Sequence, residues 1–298
     1  MGNETILYYV TQDFIDANSK RHLPYFKVEQ DNLTIYTIIL PIEGKGELPK
    51  RGIKRQQKKC LRMMQKIPEE IARTEAKGLH DFFSEREVIL QPEAKKMLTC
   101  HTKRQGTEAE TEAAQEIPEI YWLLAEKALA LEKRKYFDTV VLLLGNDMFP
   151  EQQMRHFTEF MQPFFSKINH LTILDGAEDE GEGMESRNEV LTEYTDEFYY
   201  EYGLMTQIMQ PLQIKADKVK QRKKSGRQSE RIFLDYGYMG ELPLRMMLEG
   251  DVYLDITASK EKEKLITRKC AGVSYRSPLK YLDTTVKSGY DKLVNLRR

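Results

Sequence analysis

From Pro118 onward, short apolar runs alternate with stretches of helical periodicity, and that rhythm is the tightest constraint on the fold. "TVVLLLGND" (139–147), "HLTILDG" (170–176), "RIFLDYG" (231–237), "DVYLDIT" (251–257) and "GVSYR" (272–276) read as five strands. The first is almost continuously apolar, as a strand buried on both faces of a parallel sheet must be. Between and after them lie helical patterns: 150–165, opened by Pro150, then 188–209, the short "ELPLRMML" (241–248), 259–270 and 284–296. Strands separated by helices require crossover connections, so the expectation is a five-stranded parallel sheet with helices on both faces.

The first third has a different grammar. "TILYYV" reads as a strand, and residues 25–41 read as a hairpin around Asp31-Asn32. From Leu48 to Ile67 a helix is expected, with Ile53, Cys60, Met64 and Ile67 on one face. "SEREVILQP" holds a further short strand. Residues 101–117 are polar and carry no apolar stripe, which makes them the expected boundary. The division is an α+β segment over 1–115 and a parallel α/β domain over 116–298.

Composition excludes several classes. The 298 residues are 31% charged and 40% hydrophobic, as in a folded globular chain, and the net charge of −1 provides no global field for nucleic acid or membrane. Cys60, Cys100 and Cys270 are far apart and odd in number, which reads as reduced thiols; the five histidines have no metal-binding spacing. The N-terminal residues lack a secretory pattern, and no apolar run approaches the ~18 residues of a membrane helix, so a cytoplasmic protein is expected.

Acids close the strands: Asn146-Asp147, Asp175, Asp235, Asp255 and, further on, Asp283. In a parallel sheet these gather at the carboxyl edge, where open α/β sheets bind ligands. There they can hold a cation, bind ribose hydroxyls or accept a phosphoryl group. An acid before a helix also caps it, and capping alone accounts for the row.

"LDYGYMGELPLRMM" followed by "YLDIT" resembles the first motifs of Rossmann-type S-adenosylmethionine methyltransferases; the resemblance implies cofactor contacts at Asp235, Gly237, Gly240 and Asp255. "YLDITASKEKEKLITRKCAGVSYRSPLKYLD" is similar to the last third of response-regulator receiver domains, which are flavodoxin-like. That resemblance covers roughly 138–298. It implies an acidic site at Asp147, a phosphate-accepting Asp235 and a switch hydroxyl at Thr257. Ser277 stands where that family has Lys, and Asn146-Asp147 where it has two acids, so an atypical member is implied. Asp147, Asp235, Asp255 and Thr257 are therefore the candidate ligand or ion site of a flavodoxin-like or Rossmann-like domain.

Charge is patterned locally. Residues 45–66 hold nine basic residues against Glu47, and Arg51, Arg55, Lys58, Arg62 and Lys66 form one helical ridge. Such a ridge either tracks the phosphates of a nucleic acid, contacts an acidic partner, or is a solvated face. Residues 213–231 are basic and 175–201 acidic. The helix after Asn188 carries Tyr199, Tyr200 and Tyr202 off its apolar face. No motif for nucleophilic catalysis is present. The residues point to a regulatory or binding protein without catalysis, with a methyltransferase and a nucleic-acid-associated protein as the alternatives. They specify neither cofactor nor metal nor oligomeric state.

Overall fold

The computed structural model describes residues 4–15, 24–30, 32–42, 50–75, 86–99, 119–132, 137–145, 150–162, 168–175, 182–209 and 231–295. The chain divides into two compact units, 1–109 with 283–298, and 110–282.

In the first unit, β1 (Glu4–Thr11) and β3 (Leu33–Leu40) are almost wholly buried and lie side by side in parallel. Sheet order is β2-β3-β1-β4, with β2 (Tyr25–Gln30) antiparallel to β3 as the Asp31-Asn32 turn predicts, and β4 (Arg86–Leu90) parallel to β1. A four-residue helix, α1 (Gln12–Ile15), follows β1, and α3 (Pro92–Thr99) follows β4. The basic helix α2 runs Lys50–Thr74, further than expected, because it passes through Pro68. Proline cannot donate to the carbonyl four residues back, that of Met64. The Tyr9 hydroxyl donates to that carbonyl instead, at 3.4 Å. Cys60, Ile67 and Ile71 of α2 pack on Leu7, Tyr9, Tyr36 and Ile38 of the sheet.

The second unit is an α/β layer structure. Its helices and strands are α4 (Glu119–Ala130), β5 (Thr139–Leu144), α5 (Pro150–Met161), β6 (His170–Asp175), α6 (Glu182–Tyr202), β7 (Met205–Met209), β8 (Arg231–Tyr236), β9 (Val252–Asp255), α7 (Lys260–Lys269) and β10 (Ser274–Arg276). The final helix, α8 (Pro278–Asn295), starts in this unit and ends in the first. All neighbouring strands of the second sheet are parallel, in the order β10-β9-β8-β5-β6-β7.

The expected count of five strands is corrected to six. β7 was hidden in the helical pattern of 188–209. Gly203 adopts φ +66°, its N–H returns to Tyr199 O and that of Leu204 to Phe198 O, which ends α6. "MTQIM" then extends as an edge strand on β6. Counted within the sheet, the order is 3-2-1-4-5-6, the doubly wound arrangement of dinucleotide-binding sheets; flavodoxin-type sheets obey the same ligand-crevice rule with another order. The short "ELPLRMML" helix is also corrected: residues 241–248 contain a turn at 244–246 and no helix.

The order reverses between β5 and β8. Gly145, just past β5, lies so near the chain after β8 that a Cβ there would sit 2.4 Å from Tyr236 O. Gln153 of α5 is buried and secures this end of β5, donating to Gly145 O and accepting from Gly145 N, both at 2.9 Å.

Candidate functional site

Register decides which strand-end acids meet. Asp235 pairs directly with Asp255 across β8 and β9, so the two carboxylates lie side by side on one face of the sheet. Behind them Phe233, Tyr253 and Tyr275 form a stacked ladder across β8, β9 and β10. Asp175 is one step out of phase: it pairs with Leu144, whereas Asp235 pairs with Leu143. Side chains alternate along a strand, so Asp175 belongs to the opposite face. There Tyr236 packs against Trp122 of α4, which stacks on His156 of α5.

Asp235 and Asp255 are both fully buried. Asp235 Oδ1 accepts from the N–H groups of Gly237 (2.9 Å) and Tyr238 (2.8 Å). Its Oδ2 accepts from the Tyr253 hydroxyl and from Lys262 Nζ at 2.6 Å. Asp255 Oδ1 takes the N–H groups of Thr257 and Ala258, both at 3.0 Å, and the Thr257 hydroxyl at 2.8 Å. Its Oδ2 takes Ser259 N–H and the Tyr275 hydroxyl, both at 2.8 Å. A carboxylate offers about four lone-pair positions. Both are therefore saturated by the protein's own donors.

The two strand ends use one device. After each Asp the chain turns back through a left-handed residue, Gly237 (φ +89°) or Ala258 (φ +58°), and so aims successive N–H groups at the carboxylate. For Ala258 that conformation is uncommon and is held by the hydrogen bonds around it. Ser259 then caps α7 by accepting from Lys262 N–H.

Burial, and next the adjoining Asp235 charge, push the Asp255 carboxyl up to about 6, against Lys262 and the hydroxyls of Thr257 and Tyr275. Burial likewise drives Tyr253 and Tyr275 well above the ordinary phenol range, so both stay protonated donors.

The structure thus brings Asp235, Asp255 and Thr257 together; Asp147 lies outside the described residues. Asp283 does not end a strand. It lies in α8, where its Oδ1 accepts from the Tyr8 hydroxyl at 2.5 Å. Among the described residues, no group of three His, Cys, Asp or Glu is placed to hold a metal ion. Sequence reasoning missed Lys262, Tyr253 and Tyr275. The signal for Lys262 is a cation in the first turn of a helix, where the helix dipole disfavours it unless a carboxylate is near.

The second candidate surface is α2. From Arg51 to Pro68 the sequence contains no acid. Lys54, Arg55, Lys58, Lys59, Arg62 and Lys66 are exposed, and none has an ion pair with a described residue. Helical geometry puts them opposite the buried stripe of Cys60, Ile67 and Ile71. The side chain of Arg51 lies outside the described residues. The first acid along the helix, Glu69, is 3.9 Å from Arg73.

No helix among the described residues is long and apolar enough to cross a membrane. Cys60 and Cys270 are buried free thiols, and burial pushes Cys60 up to about 11. No protein-family model, no curated protein and no solved structure matches the chain.

Proposed function

We propose that the protein is a regulatory or binding module that performs no chemistry at its strand-end acids and takes a polyanion, in the first place a nucleic acid, on α2. The observation that carries this reading is the acid-free, exposed cationic face from Lys54 to Lys66. That face is about 18 Å long at the helical rise of ~1.5 Å per residue, enough to follow several phosphates. The apolar stripe on the other side anchors the helix in its core, so the charges are presented on a rigid element.

The saturation of Asp235 and Asp255 supports the non-catalytic part. A phosphoryl group or Mg²⁺ on Asp235 would have to displace either the two backbone N–H donors on Oδ1 or the Tyr253 hydroxyl and Lys262 on Oδ2. Ribose hydroxyls on Asp255 would compete with five donors already in place. A binding module that takes neither a phosphoryl group nor a nucleoside cofactor at these acids fits their hydrogen bonding better than a methyltransferase does, and the 3-2-1-4-5-6 order sets the sheet apart from the flavodoxin type.

The test is fluorescence anisotropy with labelled duplex DNA, single-stranded DNA and RNA across a salt series. With about five phosphates neutralised, log K against log salt falls with a slope of about −4.5 on duplex. Lys58→Glu with Arg62→Glu weakens binding at least about tenfold and flattens the slope by about 2. Absence of binding at low salt, or equal binding by the variant, overturns the proposal.

A further inference from the structure

We infer that a second copy of this chain docks the outer face of its α6 onto α2. The two faces are complementary in sign, length and composition. On α6, Glu189, Glu193, Asp196, Glu197 and Glu201 are exposed, and no basic residue occurs between Glu189 and Tyr202. On α2, the six exposed bases from Lys54 to Lys66 are unaccompanied by any acid. Lys54 to Lys66 and Glu189 to Glu201 cover the same number of residues, about 18 Å of helix each.

Each face also carries an exposed apolar anchor amid its charges. Tyr200, 82% exposed, stands on the acidic face near its C-terminal end, between Glu197 and Glu201, with Tyr199 packed edge-on against it at 5.6 Å. Leu61 of α2 is 54% exposed beside the basic ridge. Tyrosine and arginine are the residues that dominate interface energetics, and an arginine over a tyrosine ring adds a cation–π contact. Exposed ion pairs are individually weak and screened by salt, so the association is a salt-sensitive one. It uses the same α2 face as the proposed function, and nucleic acid and the second copy therefore compete.

Sedimentation velocity with charge-reversed variants tests the inference. Variant one is Lys58→Glu with Arg62→Glu; variant two is Glu193→Lys with Glu197→Lys. All four positions are exposed, and circular dichroism verifies that each variant is folded. Wild type self-associates at about 50 mM salt and dissociates at about 500 mM. Each variant alone is monomeric, because like charges now face each other. An equimolar mixture of the two associates, since both reversed faces find opposite partners. Monomeric wild type at low salt, variants that associate as wild type does, or a monomeric mixture each overturn the inference. A mixture that fails while wild type associates indicates another interface. Variant two retains duplex binding on its intact α2, so loss of self-association and loss of nucleic-acid binding are read separately.

Discussion

Lys262 Nζ lies 2.6 Å from Asp235 Oδ2, and this contact makes a pair of buried carboxylates on adjacent strands tenable. The Asp235 side chain has no exposed surface and that of Lys262 only 14%. An ion pair of this kind gives little net stability over an apolar replacement, but removing one partner leaves the other charge stranded.

Lys262→Met is accordingly expected to destabilise the second unit by about 3–5 kcal/mol in urea unfolding. Lys262→Arg, which keeps the charge, costs much less. Adding Asp235→Asn to Lys262→Met costs less than the sum of the two single changes, because the neutral pair no longer buries a lone charge. A loss below about 1 kcal/mol for Lys262→Met contradicts this account of the network.

Asp255 sets a pH dependence. Its carboxyl is raised to about 6, so between about pH 4 and 6 the folded protein holds a proton that the unfolded chain has released. The stability this group contributes is complete below the ordinary carboxylate range, declines as pH rises through about 6, and is absent above it. Unfolding midpoints of wild type and Asp255→Asn, taken at half-unit intervals, give the difference. That difference falls across the window and is flat above it; a difference independent of pH sinks the prediction.

In the first unit, Tyr9 stands in for the N–H that Pro68 lacks. Tyr9→Phe should therefore cost about 0.5–1.5 kcal/mol of stability. In a Pro68→Ala background the helix donates to Met64 O itself, and the same Tyr9→Phe change costs clearly less. Equal costs in both backgrounds show that the hydroxyl does not serve the carbonyl.

The local devices were legible. The alternation of apolar runs and helical patterns located β5, β6, β8, β9 and β10. The acids that close β8 and β9 do bind backbone N–H groups, but those of the turns that follow them: the cap of α7 is Ser259, and no helix follows Asp235 before β9. The opposition of Cys60 and Ile67 to the basic ridge on α2 was likewise present in the spacing. These are properties of neighbours in sequence, where periodicity and side-chain chemistry act directly.

What the chain could not declare locally depends on partners tens of residues away. β7 shares its letters with a helical pattern and becomes a strand because Gly203 stops α6 beside the open edge of β6. Asp235 meets Asp255 while Asp175 turns to the other face, because inter-strand register, shifted by one residue, inverts every side chain. The helix through Pro68 survives because Tyr9, on a strand more than fifty residues earlier, reaches the orphaned carbonyl. Sequence alone determined most of the strands, the longer helices and the charged faces, since those follow from short-range periodicity; β7 and the segment 241–248 are the exceptions. Tertiary structure alone decided which acids are neighbours and what neutralises them, since register and packing are settled by the assembled sheet.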